Sequence, residues 1–357
     1  MSRSAPNLTM KMKLRFFKSI MDSEASLTRM RPGAKSMRLL SGVHQKARDV
    51  LQAPLQGLVK LEDSPKPALR SKQSGKSGSS RKPTNDGLPK EYLEGGVWHK
   101  RVISTLFRWA GTQPNPWIMP DAKVVDALEK ICDAYYDQSI QLAITTTSTA
   151  FHLATQQLSD GWRSIFGSSA IAIVNAFFDA HDNYSDSDEQ QQDFAQGALD
   201  KLRFIYRKAD GNDTKKFRGL FRGPLVVQVF AAHFNMIHGS KWIHGLYEGS
   251  SPPQPRAPLA LAAAAVERAL MLWGTGTITI TMVREAKTTR KAIKLPAMIN
   301  PETGRQLTQH VAFSELSWGK PTRSYLESIE KNVDDDVMEK IMGEAKEFSK
   351  ASHGEND

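Results

Sequence analysis

Apolar residues recur at helical spacing through most of the chain beyond residue 90. Val97, Trp98, Val102, Ile103, Leu106 and Trp109 form a first stripe, which ends at Gly111 and a proline-rich loop, Thr112–Pro120. Asp121 follows as a predicted N-cap, and its helix carries Val124, Val125, Leu128, Ile131, Cys132 and Tyr135 on one side before ending near Tyr136. The period is helical again from Ser148 to Asp182, with a break expected at Asp160–Gly161 or at Gly167. Within it Ala170–Phe178 is almost wholly apolar, which predicts a central helix buried on most sides. Ser187 and Gln190 make a capping-box pair among Asp186, Asp188 and Glu189. The helix they open is expected to carry Phe194, Ala198, Leu202 and Ile205 on one face and to stop at the turn Asp210-Gly211-Asn212-Asp213.

Pro224 and Pro258 fit first helical positions, where a missing N–H costs nothing, and predict helices over Leu225–Ile237 and Leu259–Trp273. The second is dense in alanine from Ala260 to Ala265, as expected for the middle of a bundle that neighbours approach closely. Thr275–Val283 then alternates β-branched residues. It reads either as a strand paired with Lys291–Leu295 in a small hairpin or as a continuation of the preceding helix. Pro321–Glu330 and Val333–Lys350 are two further amphipathic helices. The fold class is therefore mainly α, a multi-helix bundle with room for one small β-hairpin; the strand–helix alternation of a doubly wound sheet is missing.

Charge changes the picture at the N-terminus. Residues 1–90 carry 19 Lys and Arg against 6 Asp and Glu, a net of +13, whereas residues 91–357 carry 29 against 32, a net of −3. Ser, Lys, Arg, Gly and Pro dominate the first part, above all Lys66–Pro83, and too little apolar surface is present to offset the entropy of ordering. The expected organisation is a disordered basic tail over residues 1–90, an α-helical domain over 91–350 and a disordered end over 351–357. Met37–Leu58 has the spacing of a transient helix inside the tail. The basic balance belongs to the tail, so any nucleic-acid reading based on net charge must rest there.

A single cysteine, Cys132, excludes an internal disulfide and a cysteine-based zinc site, and its place on an apolar helix face makes it a core thiol. No stretch reaches the roughly 18 continuous apolar residues of a membrane span. The expected location is intracellular, in nucleus or cytoplasm; Lys11, Lys13, Arg15 and Lys18 around Leu14, Phe16, Phe17 and Ile20 give a mitochondrial address as the alternative.

No phosphate-loop, dinucleotide or serine-hydrolase motif occurs, so no catalytic residue and no cofactor are assigned. His233, His238 and His244 are spaced by five and six, on different helical faces, which does not suit a metal. Asp210–Asp213 lacks the ligand order and the twelfth-position glutamate of a calcium loop. The one suggestive site is KKFRGLFRGP, residues 215–224: Lys215, Lys216, Arg218 and Arg222 precede a helix N-terminus, where exposed N–H groups favour an anion or a nucleic-acid backbone. The structural alternative buries Phe217, Leu220 and Phe221 and leaves the cations solvated or paired with acids. Glu267 and Arg268 interrupt the alanine helix and need partners if buried.

Five segments together carry a resemblance: GWRSIFGSSAIAIVNAFF (161–178), RFIYRKADG (203–211), FRGLFRGP (217–224), APLALAAAAVERALMLWGTGT (257–277) and SWGKPTRSYLESIEK (317–331). Over roughly residues 98–350 the chain resembles a domain-of-unknown-function family of basidiomycete fungi, family 6532. The resemblance implies a largely helical intracellular fungal domain and no catalytic role. Two functions follow as expectations. The first is a non-enzymatic interaction module with a protein or nucleic-acid partner, aided by the basic tail. The second is an enzyme with a pocket between helices, using Glu267, Arg218 and His233.

Overall fold

The computed structural model describes residues 84–137, 143–247, 253–289, 293, 298–299, 306–307 and 312–349. The expectations for residues 1–83, for Met37–Leu58, for most of Lys291–Leu295 and for the last eight residues lie outside them. The folded part reaches back past residue 91: Thr84 precedes a 3-10 turn at Asn85–Gly87, and Leu88 and Tyr92 are buried.

Helix α1 (Ser104–Ala110) is entered through a π-helical stretch, Trp98–Ile103, and the expected stripe faces the core, with Trp98, Val102 and Leu106 fully buried. Helix α2 (Asp121–Tyr135) packs against it. Helix α3 (Thr149–Gln156) is capped by the Ser148 hydroxyl, which accepts from Phe151 N at 3.3 Å. The break expected at Asp160–Gly161 is instead a π-helical passage, Gln157–Arg163, leading straight into α4 (Ser164–Asp179). A π turn absorbs an extra residue without ending the helix. Gly167 sits inside α4 with Phe313 against it.

Helix α5 (Asp188–Leu199) starts as its cap predicts, with the Ser187 hydroxyl accepting from Gln190 N at 3.2 Å. It stops earlier than its apolar period suggests. Lys201 and Leu202 take positive φ values of 54° and 53° in a 3-10 stretch, Asp200–Ile205, and Leu202 is left exposed. The chain then forms an antiparallel hairpin of β1 (Tyr206–Lys208) and β2 (Arg218–Leu220), with Tyr206 opposite Leu220 and Lys208 opposite Arg218.

Thr275–Val283 is therefore not the hairpin. It runs into helix α8 (Ile280–Thr289). Asp188 accepts the Ile280 N–H at 2.9 Å, the Thr275 hydroxyl donates to the Met271 carbonyl four residues back at 2.8 Å, and the Thr279 hydroxyl accepts from Met282 N at 3.4 Å, so the stretch is satisfied in helical form. Two further short strands, β3 (Met298–Ile299) and β4 (Gln306–Leu307), pair antiparallel.

Helix α6 (Pro224–Met236) has Pro224 at its first position, as expected. Helix α7 (Arg256–Gly274) is the centre of the bundle; Ala260–Ala265 are fully buried, and α4, α5, α6 and α9 (Glu315–Asn332) all pack on it. It begins two residues before Pro258 because the Arg256 guanidinium donates to the Ile329 and Val333 carbonyls and to Asp335 Oδ1 at 3.3, 2.5 and 2.7 Å. By length and composition α7 could cross a membrane, but its faces are taken by these helices. Helix α9 begins before Pro321 and continues through it; buried Trp318 and Thr322, joined by a 2.7 Å hydrogen bond from the Thr322 hydroxyl to the Trp318 carbonyl, hold the helix on either side. Helix α10 (Asp335–Lys346) closes the bundle against α6.

Candidate functional site

The hairpin places the four sequence-predicted cations in different surroundings. Lys215 and Lys216 lie exposed in a 3-10 turn that Asp213 caps through Lys215 N at 3.1 Å. Arg218 is exposed, and its Nη1 donates to the carbonyls of Lys215 and Phe217 at 2.7 and 3.0 Å. Arg222 turns the other way: it grips both carboxylate oxygens of Glu344 on α10, and Arg207 donates to the same carboxylate at 2.8 Å. Phe217 and Phe221 are buried, the latter with φ of 59°. Arg203 stands 5.3 Å from the Phe217 ring centre and ties the loop through Ala209 O and Asn212 Oδ1. Buried aromatics and an acid on α10 thus account for most of this motif, and the four cations do not converge on one point. Arg222→Ala should cost about 1 kcal/mol by freeing the hairpin from α10. Arg218→Ala should stay within roughly 0.5 kcal/mol. Urea unfolding of both variants checks the contrast; equal losses would mean that the Glu344 clamp carries nothing.

The buried polar groups are bound up in separate pairs. His233 on α6 is wholly enclosed, and Trp162 Nε1 donates to its Nδ1 at 3.2 Å. Burial, with Arg108 adding to it, pushes the imidazole down to about 3. Glu267 on α7 accepts from the Tyr325 hydroxyl at 3.0 Å, and burial raises its carboxyl above the usual range. Cys132 is buried beside Tyr92, and burial lifts the thiol to about 12, so it is an inert core residue. His233, Glu267 and Arg218 are not brought together. Gly111 packs on both His233 and Pro258, which puts His233 at the first turns of α7. Glu267 lies nine residues further along that helix, about 13 Å at 1.5 Å per residue. Arg218 is on the hairpin. Among the described residues no group of His, Cys, Asp and Glu could hold a metal ion.

A different surface gathers cations around an exposed aromatic. The loop after α6 carries His238, Lys241, Trp242 and His244 on its outside and turns at Gly239 and Gly245, with φ of 83° and 77°. It is laid against the π-helical stretch: Arg101 donates to Gly239 O at 3.3 Å, and a Cβ on Gly239 would come within 2.8 Å of the Lys100 carbonyl. Lys241 N donates to the Thr105 hydroxyl at 3.2 Å, and its ammonium stands 4.8 Å from the Tyr135 ring centre. Trp242 stacks on Tyr247, centroids 4.7 Å apart and planes 10° from parallel, and keeps 36% of its surface exposed. Sequence reading missed this face because its cations come from segments about 140 residues apart in the chain; the polar run Gly239-Ser240-Lys241-Trp242 was the local signal.

These features define a mainly helical domain with a small hairpin at one corner and an aromatic, basic face at another. A family model described as Domain of unknown function (DUF6532) matches residues 107–291, more than half of the chain, and the protein belongs to that family. No curated protein and no solved structure matched the chain.

Proposed function

We propose that the domain is a non-enzymatic interaction module inside the cell, holding a polyanionic partner of the nucleic-acid class, with the basic tail adding non-specific affinity. The observation that carries this reading is that the loop holding Lys241 and Trp242 is laid on the turns that carry Arg101, on a body whose net charge from residue 91 onward is −3. A local positive field on a weakly negative body steers a polyanion to one place. The enzyme reading has less support, because the three residues it needs stand apart.

The test is binding of heparin and of duplex DNA by the full chain and by residues 84–357 over a salt series. The shorter chain starts at 84 rather than 91 so that it keeps Leu88 and the turn before it. Both chains are expected to bind, with affinity falling steeply as salt rises and a shallower slope for the shorter one. Binding by the full chain alone would move the affinity to the tail and remove the folded surface from the proposal. Absence of binding by either chain would end it and turn the search to protein partners.

A further inference from the structure

We infer that the Trp242 face is a site for single-stranded nucleic acid, with a base stacked on the open side of the indole and the backbone phosphates held by Lys241 and Arg101. The inference rests on the polyanion reading above and names the partner and the contact.

The indole is set as a platform. Tyr247 covers one of its faces in near-parallel contact, and Ile243, Leu246 and Tyr247 are themselves buried, so the ring is backed by core. Its exposed area therefore lies on the opposite face and edge. A ring held this way loses little freedom when a base stacks on it, and every base offers a flat face. The cations stand beside it without carboxylate partners among the described residues. Lys241 is held by the face of Tyr135, 4.8 Å from its ring centre, a contact that positions the ammonium without removing its charge. Arg101 is positioned by a backbone carbonyl, and Lys100 follows the same π turns. Asp133 and Asp137 stand two residues either side of Tyr135 in the chain.

The surroundings favour a nucleic acid over a lipid surface. A membrane anchor needs further apolar side chains around the tryptophan, whereas Lys241, His244 and Gly245 flank it and the neighbouring Ile243 and Leu246 point inward. A duplex keeps its bases stacked on one another, so it offers phosphates but no free base face.

The experiment uses the full chain and a fluorescent oligothymidylate of about 15 nucleotides. Trp242→Ala is expected to weaken binding about tenfold, and Trp242→Phe to recover most of the loss. Arg101→Gln and Lys241→Gln should each lower the salt slope by about 0.7. Heparin, a polyanion without bases, should bind the wild-type and Trp242→Ala chains equally. Unchanged melting of the variants excludes misfolding, which an exposed ring makes a mild risk. Equal oligothymidylate binding by wild-type and Trp242→Ala chains would overturn the site while leaving the polyanion reading in place. Heparin binding without oligothymidylate binding would do the same. Binding of neither would overturn both. Loss of binding to phosphatidylserine vesicles in Trp242→Ala, with oligothymidylate binding intact, would reassign the face to a membrane and overturn the inference.

Discussion

Replacing Trp162 with alanine is expected to remove roughly 3–5 kcal/mol of stability, a large share of a margin of the order of 5–15 kcal/mol. Two losses combine. The indole is fully buried at the junction of the π turns with α4, stacked near Phe107 and edge-on to Phe166 and His233, so its removal opens a cavity in the core. It also donates the hydrogen bond that His233 Nδ1 accepts. Trp162→Phe separates the two: it keeps most of the volume and leaves the imidazole nitrogen unpaired, at about 1–3 kcal/mol. The same pair sets a pH dependence. An imidazole that accepts through Nδ1 carries its proton on Nε2, and protonating Nδ1 would break the bond inside a dry site. Its folded value of about 3 lies below the usual value near 6.5, so the unfolded chain binds the extra proton between these limits. Stability from this group is present above pH ~6.5 and is lost as pH falls towards ~3, with a slope approaching 1.4 kcal/mol per pH unit, about one proton. His233→Gln, which still offers Trp162 an acceptor, should flatten that slope. Urea midpoints at neutral and mildly acid pH decide it; identical slopes for wild-type and His233→Gln chains would assign the acid lability elsewhere.

The helical frame was legible because its signals are local. The stripe from Trp98 to Trp109, the Ser187 cap, Pro224 at a first helical position and the alanine run of α7 each need only neighbouring residues to be read, and each holds its expected place. The hairpin was misplaced because its cause is not local. Thr275–Val283 has the β-branched alternation of a strand, yet Asp188, on another helix, anchors Ile280, the Thr275 hydroxyl finds the Met271 carbonyl one turn back and the Thr279 hydroxyl caps Met282 N. Tyr206–Leu220 has no comparable alternation and becomes a hairpin because Lys201 and Leu202 end α5 abruptly. Helix α7 likewise starts before Pro258 through Arg256, whose partners lie more than 70 residues away.

The candidate site divides in the same way. A cluster of cations in one short stretch, Lys215 to Arg222, is conspicuous in sequence, and the fold pairs its one partly buried member, Arg222, with Glu344. The Trp242 face is inconspicuous because Arg101 reaches it from the turns of a π-helix, across a glycine that lets the loop lie on them. Motif density in a chain thus reports local composition, whereas a surface is assembled by packing.

Gly223→Ala should be the most damaging single-methyl change at the hairpin corner, costing about 3 kcal/mol or more. A Cβ there would stand 1.8 Å from the Phe204 carbonyl oxygen and 2.8 Å from its carbon. Those atoms are backbone, so no rotamer change relieves the clash; the strand or the first turn of α6 has to move. The consequence spreads because several features share the corner. Gly223 N donates to the Ile205 carbonyl at 3.2 Å, Phe221 is buried with a positive φ, and Arg222 reaches Glu344 from the next position. Shifting Gly223 therefore loosens the contact between hairpin and α10 as well as the start of α6. Gly197→Ala supplies the opposite case. Gly197 is inside α5 with open space where the methyl would go, so alanine's better helix propensity should add about 0.5–1 kcal/mol. Thermal melts of the two variants should move in opposite directions. A Gly223→Ala chain that melts with the wild type would mean that the close passage of Phe204 over Gly223 is not what seats the hairpin on the bundle.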